Sequence, residues 1–362
     1  MECCICVRKP TNIFTNGCFQ QSLFIWKMLN MIPTVNCDMV SVETGYDRFD
    51  ELVDVKVVRL TTESVKKYQI VFTLSLTLNP SNDIEILKAI KANGIKLVDV
   101  LCGNLYILLQ EEFVFDIHNI MRNYRNPYID QVWVLEMYAY AKDFLEMVYD
   151  RPVKVMRYVW DVDIIEKYIS INDINIPSKM NNGKINICIY EANMSLHKNG
   201  FIPLLIAENY FRKFPDRVNK VYMFCKETMN NNGFYENLEL CKHGKFEYHG
   251  RMIMPTTIDN IQKSSGYKTV VLSNTLLNNL NFLHLELFYM RIQIVHNCSP
   301  FKNGLYYDSL KLWDAVDLIE KARIEEPDEQ LTTQIIQKFS CDNVHIQNDW
   351  SFHMNRIMAN TL

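Results

Sequence analysis

Short apolar runs alternate along the chain with longer stretches in which apolar side chains return every three or four positions. The first pattern predicts strands and the second helices. In the first half, strands are expected at 11–15, 39–42, 55–58, 70–74, 96–101, 106–109, 130–134 and 152–160. The run over 11–15 ends at Asn16-Gly17, and Leu23, Trp26 and Leu29, with Phe24 and Met28 beside them, mark a helix over 21–31. A helix over 84–93 closes at Gly94 as its C-cap, and 136–147 has a further helical pattern. After a polar stretch over 178–183, strands are expected at 185–190, 218–225, 245–249, 269–272 and 292–296, with a helix over 203–211 that carries Pro203 in its first turn. Such alternation predicts an α/β fold, with parallel sheets covered by helices on both faces and built twice. Two domains are expected, residues 1–157 and 158–340, followed by a C-terminal segment, 341–362. The length agrees, because 362 residues exceed the usual size of one core.

Composition narrows the partners. A net charge of -4 with no arginine-rich run gives no field that would gather nucleic acid. No apolar window is long enough for a membrane-crossing helix, and Cys3-Cys4-Ile5-Cys6-Val7 ends too soon at Arg8-Lys9-Pro10 for a signal peptide. A soluble, cytoplasmic protein with no integral membrane segment is expected. The eleven cysteines are scattered, mostly in apolar segments, as reduced core thiols would be. Cys3, Cys4 and Cys6 read as a strand or tail rather than metal ligands, since no second pair at zinc spacing follows. Asn193-Met194-Ser195 and Asn297-Cys298-Ser299 match glycosylation acceptors, accidental ones in the absence of a secretory signal.

In open α/β sheets ligands sit beyond the carboxyl ends of the strands, so candidate chemistry lies in the loops that follow them. The loop over 191–203 is polar and leads into a helix, whose first amides attract phosphate oxygens while Lys198 adds a point charge. An ordinary loop with a solvated lysine fits the same residues. Gly250-Arg251 follows the strand at 245–249; Arg251 offers a fork of donors to phosphate or is a surface arginine after a turn. Further on, residues 280, 283, 284 and 287 share one helical face, with Asn279 and Glu286 in line on its flank. A carboxylate pointing into a cleft there accepts two hydroxyl hydrogen bonds from a ribose; the alternative is an exposed acid on a capped surface helix. Asp161-Val162-Asp163 is a D-x-D metal clamp in form, but an acid pair at a helix amino end explains it as well. Neither a G-x-G-x-x-G nor a P-loop sequence occurs, against nicotinamide and P-loop chemistry.

The polar segment, the helix with Glu286 and the buried strand that follows resemble GT-B-fold glycosyltransferases, many of which carry two glutamates seven apart. Glu286 matches the second; Asn278 stands where the first would be, Arg291 in place of a glycine and Gln293 in place of a proline. A narrower resemblance is to an uncharacterised bacterial and viral family of glycan-synthesis glycosyltransferases. Its blocks here are Asn16-Gly17 with Gln20-Gln21-Ser22-Leu23, Cys102-Gly103-Asn104, Arg151-Pro152-Val153 with Val159-Trp160-Asp161, 189–193, 279–285, and Val295-His296-Asn297 with Gly304-Leu305-Tyr306-Tyr307, over about residues 12–310.

The resemblance implies two Rossmann-like domains with parallel sheets facing across a cleft. It implies a nucleotide sugar held by the second domain through Asn193, Lys198, Arg251, Asn279, Glu286, His296 and Asn297. A glycan or glycoprotein acceptor would meet Asn16, Gly17 and Asn104 of the first, and 341–362 would cross back onto that domain. Leaving-group charge in this fold is handled by protein cations and helix dipoles, so neither a metal nor another cofactor is expected. For an inverting transfer, Glu43 and Asp47, in the loop after the second strand, are the candidate bases, and both fit equally as solvated turn residues. The expected activity is transfer of a sugar to a glycan, such as a capsular or viral surface glycan, in the cytoplasm of a cell or of a virus-infected host. A nucleotide-sugar epimerase on the same fold and a non-catalytic glycan- or nucleotide-binding module are the alternatives.

Overall fold

In a computed structural model, the structure describes all residues except 10–12, 16, 76, 118–119, 121–124, 176–179, 194, 226–231, 279–281, 303 and 360–362. The chain forms two compact units, Met1–Ile164 together with Gln337–Leu362, and Ile165–Ile336.

The first unit contains β1 (Glu2–Cys6), α1 (Gly17–Asn30), β2 (Asn36–Ser41), β3 (Arg48–Asp50), β4 (Val53–Arg59), β5 (Ile70–Leu74), α2 (Ile84–Ala92), β6 (Lys96–Leu101), α3 (Leu105–Phe115), β7 (Gln131–Leu135), α4 (Lys142–Tyr149) and β8 (Val153–Met156). These strands form one sheet in the order β3-β4-β2-β1-β5-β6-β7-β8, parallel throughout except for the β3–β4 pair. A parallel sheet is buried on both faces, so its central strands are nearly continuous apolar runs; all five residues of β5 are buried.

Three strand expectations are corrected. The first strand is Glu2–Cys6 and not 11–15, where Ile13–Thr15 forms a single 3-10 turn. The cysteines read as a strand or tail lie in a strand, as small apolar side chains fully buried between β2 and β5. Residues 106–109 belong to α3, because the Asn104 side chain accepts a hydrogen bond from Ile107 N and starts a helix there. The strand expected over 152–160 ends at Met156; further on, Trp160 N donates to Phe339 O at 2.7 Å.

The second unit contains α5 (Asp163–Ile171, which starts in the first), β9 (Asn181–Ile189), α6 (Phe201–Lys213), β10 (Val218–Phe224), α7 (Asn232–Glu236), α8 (Glu239–Lys242), β11 (Phe246–His249), α9 (Met254–Ser265), β12 (Tyr267–Leu272), α10 (Phe282–Tyr289), β13 (Gln293–His296), β14 (Leu305–Tyr306), α11 (Leu312–Ile324) and most of α12 (Glu329–Phe339). Its sheet runs β11-β10-β9-β12-β13-β14, all parallel. One face, with Ile185, Ile187, Ile189, Val270 and Leu272, forms a single apolar core with Leu204 and Ala207 of α6 and Val316 and Ile319 of α11. The other face carries Asn186, whose Nδ2 donates to Ser265 Oγ of α9 at 2.8 Å.

The last helix, α13 (Val344–Met358), completes the first unit. Trp350 is fully buried, edge-on to Trp133 of β7 and Phe72 of β5, and its Nε1 donates to Arg157 O at 3.1 Å. Asp349 accepts from Arg157 N at 3.0 Å. Trp350→Ala is therefore expected to cost the first unit about 3–5 kcal/mol, read as a lower urea midpoint, and Trp350→Phe clearly less. A loss below about 1 kcal/mol for the alanine variant would mean that α13 is not anchored through this ring.

Candidate functional site

In the second sheet the chain leaves β9 for β10 and β11 on one side, then returns to β12 and β13 on the other. The connections that leave β9 and β12 therefore run to opposite sides, and the carboxyl ends of these two neighbouring strands are where sheets of this kind hold ligands. Two polar residues stand just beyond the strand ends at this point, Glu191 and Ser273, and both are buried. Ser273 Oγ donates to Glu191 Oε1 at 2.6 Å, and His284 of α10 lies with Nε2 3.1 Å from Ser273 Oγ. While Glu191 is ionised, the serine gives its one proton to the carboxylate, so His284 donates through Nε2 and keeps Nδ1 bare. That Nδ1 is buried and has no hydrogen-bond partner among the described residues. The Tyr307 hydroxyl donates to Ser273 O at 3.0 Å and accepts from Asn274 Nδ2 at 2.9 Å.

His296, at the end of β13, lies with its ring centroid 5.2 Å from that of His284. Its Nδ1 accepts from Cys298 N at 3.1 Å, which leaves the ring proton on Nε2, also buried and without a hydrogen-bond partner among the described residues. Burial drives the His296 pKa down to about 3. His284 is also held well below the usual range, by burial first and then by the nearby His296 and the Lys198 charge. Both imidazoles are neutral at neutral pH. Burial raises Glu191 to about 7, against the opposing pull of the Ser273 hydrogen bond and of Lys198.

Lys198 acts on this cluster from the loop after β9. Its backbone bridges to Thr275 in the loop after β12. Thr275 is gripped in turn by Asn297, whose Oδ1 accepts from Thr275 N at 2.9 Å while Nδ2 donates to Thr275 O at 2.8 Å and Ser309 Oγ at 3.0 Å. The loops after β9, β12 and β13 are thus tied together, and Asn297 uses its side chain to tie them. Asn193, in the left-handed conformation at φ 52, accepts from Gly200 N at 2.6 Å and fixes the entry to α6. A Cβ at Gly200 would lie 1.9 Å from Met223 Cε, so a side chain there requires the methionine end to move.

Lys198, His296 and Asn297 are therefore brought together, with Asn193 at the start of the same loop. Glu286 lies on α10 and is buried. It is two residues from His284, which turns it about 200° around the helix and away from the Ser273 side. Arg251 is exposed after the edge strand β11, two strand spacings, about 10 Å, from β9. Asn279 lies outside the described residues, as does Asn16. In the first unit Gly17 opens α1 and is exposed, and Asn104 is buried as the cap of α3. Glu43 accepts from Lys9 N at 2.7 Å and faces the Arg8 guanidinium at 3.7 Å. Asp47 is exposed, and its carbonyl accepts from Val57 N.

Sequence reasoning did not single out Glu191, Ser273 or His284 as a cluster, nor Arg8. An acid directly after an apolar strand was a usable signal for Glu191. Arg8 was hidden by the misplaced first strand.

None of the curated proteins matches the chain in sequence. Solved structures resemble it over its whole length at low identity. The apo form of the lipopolysaccharide outer core galactosyltransferase WaaB has a TM-score of 0.57 at 12% identity, covering 100% of both chains. The E. coli trehalose-6-phosphate structure bound with UDP-2-fluoro glucose has a TM-score of 0.60 at 8% identity, covering 98% of this chain and 99% of that one. The α,α-trehalose 6-phosphate synthase of Burkholderia multivorans has 0.55 at 11%, covering 99% and 98%. Together with the two parallel sheets, these likenesses make the fold GT-B. The model of a family described as a protein of unknown function, DUF2827, matches residues 3–352, and the chain belongs to that family.

Proposed function

We propose that the protein is a glycosyltransferase that takes a sugar from a nucleotide donor held by the second unit and passes it to a glycan. The observation that carries this reading is the reversal of strand order between β9 and β12: loops tied around Lys198 above a buried floor of Glu191, Ser273, His284 and His296 that carries little charge. A GT-B fold, shared with transferases, supports it. Lys198 and the first amides of α6 would take the diphosphate, with Arg251, beyond the edge strand, a second cation. Glu286 would hold the ribose from the flank of α10 turned away from Ser273, and Asn193, Asn279, His296 and Asn297 would shape the donor pocket. No metal or other cofactor is invoked, since cations and helix dipoles suffice for the leaving group. Asn16, Gly17 and Asn104 belong to the acceptor side. Glu43, at the carboxyl edge of the first sheet, is a better candidate base than the outlying Asp47. A capsular or viral surface glycan is the product class that the family resemblance suggests.

The acid and imidazole groups of the floor give a second reading, a nucleotide-sugar epimerase, whose product would be an isomerised free nucleotide sugar. Nuclear magnetic resonance of the products separates the two.

A panel of nucleotide sugars and nucleoside diphosphates should include at least one compound that raises the melting temperature; at a hundredfold excess over Kd the gain is about 2.7 kcal/mol. A flat response across the panel would sink the donor site. With the responding compound, Glu286→Ala is expected to weaken binding by roughly 1.5–3 kcal/mol, measured by titration calorimetry. Unchanged affinity would remove Glu286 from the ribose.

Glu191 also makes a stability prediction. Its folded pKa of about 7 lies above the ordinary 4.5, so the stability it contributes is complete below pH 4.5 and is lost as pH rises through 7. Glutamine imitates the protonated acid. The stability gained by Glu191→Gln over wild type should be near zero at pH 4.5 and grow to the order of 3 kcal/mol by pH 8. Denaturation midpoints across that range measure it, and a difference that does not vary with pH contradicts the assignment.

A further inference from the structure

The first sheet has its own reversal of strand order, between β1 and β5, and an open pocket of about 460 Å³ lies at the carboxyl ends of those two strands. Arg8 is the only basic side chain among the described residues that line it, and its charge is already matched. Nε donates to Thr77 O at 3.0 Å, Nη2 to Asp83 Oδ2 at 2.9 Å, and Nη1 lies 3.7 Å from Glu43 Oε1. Arg8, Asp83 and Glu43 together carry a formal charge of minus one. The amino end of α1, whose Cys18 and Phe19 line the pocket, returns only about half a positive charge.

What remains to meet a ligand is neutral. Asn79 is mostly buried and its Oδ1 accepts from Asn82 N at 3.2 Å, but its Nδ2 has no hydrogen-bond partner among the described residues. The Asn82 side-chain amide is exposed at the rim. Ser75 and Thr77 add oxygens, and the half-buried Phe19 ring supplies an apolar face. Amide donors beside hydroxyls and one aromatic face suit a polyol; a phosphate would need an unmatched cation.

We infer that this pocket takes an uncharged, hydroxyl-rich glycosyl group, so that the acceptor of the transfer is a neutral sugar and not a sugar phosphate or uronate. The inference rests on the proposed transferase reading.

Saturation-transfer nuclear magnetic resonance on the full chain, with a set of neutral mono- and disaccharides against glucose 6-phosphate and glucuronate, tests it. Neutral sugars are expected to bind at least tenfold more tightly than the charged ones. Asn79→Leu should abolish that binding while leaving nucleotide binding intact, which also controls for folding. Asp83→Asn combined with Glu43→Gln frees Arg8 and should turn the preference toward glucose 6-phosphate. Equal or tighter binding of glucose 6-phosphate by the wild type, or no neutral sugar bound at all, overturns the inference. The same samples titrated with nucleotide sugars keep the two readings apart: neutral-sugar binding without nucleotide binding removes the transferase and keeps the pocket.

Discussion

The parallel pairing of β9 with β12 is the constraint on which the second unit depends. It sets Ile187 beside Val270 and Cys188 beside Val271, and it joins two strands whose onward connections run in opposite directions. Helices cover both faces of such a sheet, so its carboxyl edge is where polar groups can gather beside a ligand. Glu191 and Ser273, 82 positions apart in sequence, meet only because of this pairing. A buried carboxyl without that serine would lose one of its hydrogen-bond donors, a loss that costs more than the bond itself contributes.

The floor of the site is polar but nearly free of charge. Two imidazoles are kept neutral by burial, and one carboxyl is protonated about half the time near pH 7. In the proposed reading this lets Lys198 act on an incoming diphosphate without a fixed anion beneath it. The first unit differs, since its one pocket cation is held between two carboxylates. In the proposed reading, this difference suits one sheet to a charged donor and the other to a neutral partner.

Much of the fold was legible in the chain. β5, β6, β9 and β12 are apolar runs with turn residues on either side, and Gly94, at φ 67, ends α2 as its sequence position implies. β1 was only half legible, because three cysteines in five residues fit a strand or a tail equally until each is seen to pack as a small hydrophobe. α3 was missed for a different reason: a short apolar run has no period, and only the Asn104 cap separates helix from strand there. Among the expected site residues, His296 ends β13, Asn297 follows it directly, and Lys198 lies in the loop after β9, so their place at the carboxyl edge of the sheet was legible. The Glu191 cluster was not, because burial of an acid depends on which strands become neighbours. Arg251 had the right local setting, but the sheet order puts its strand at the edge.

The enclosure of Trp350 by Trp133 and Phe72 bears on how the protein is made. The ring that completes the first unit is synthesised last, more than two hundred residues after the two that receive it. At ribosomal rates of 5 to 20 residues per second, its socket stays open for roughly 10 to 45 seconds while the whole second unit emerges. The second unit can close its own core as soon as it is made; the first must wait, with an aromatic cleft that a chaperone or a neighbouring nascent chain can reach.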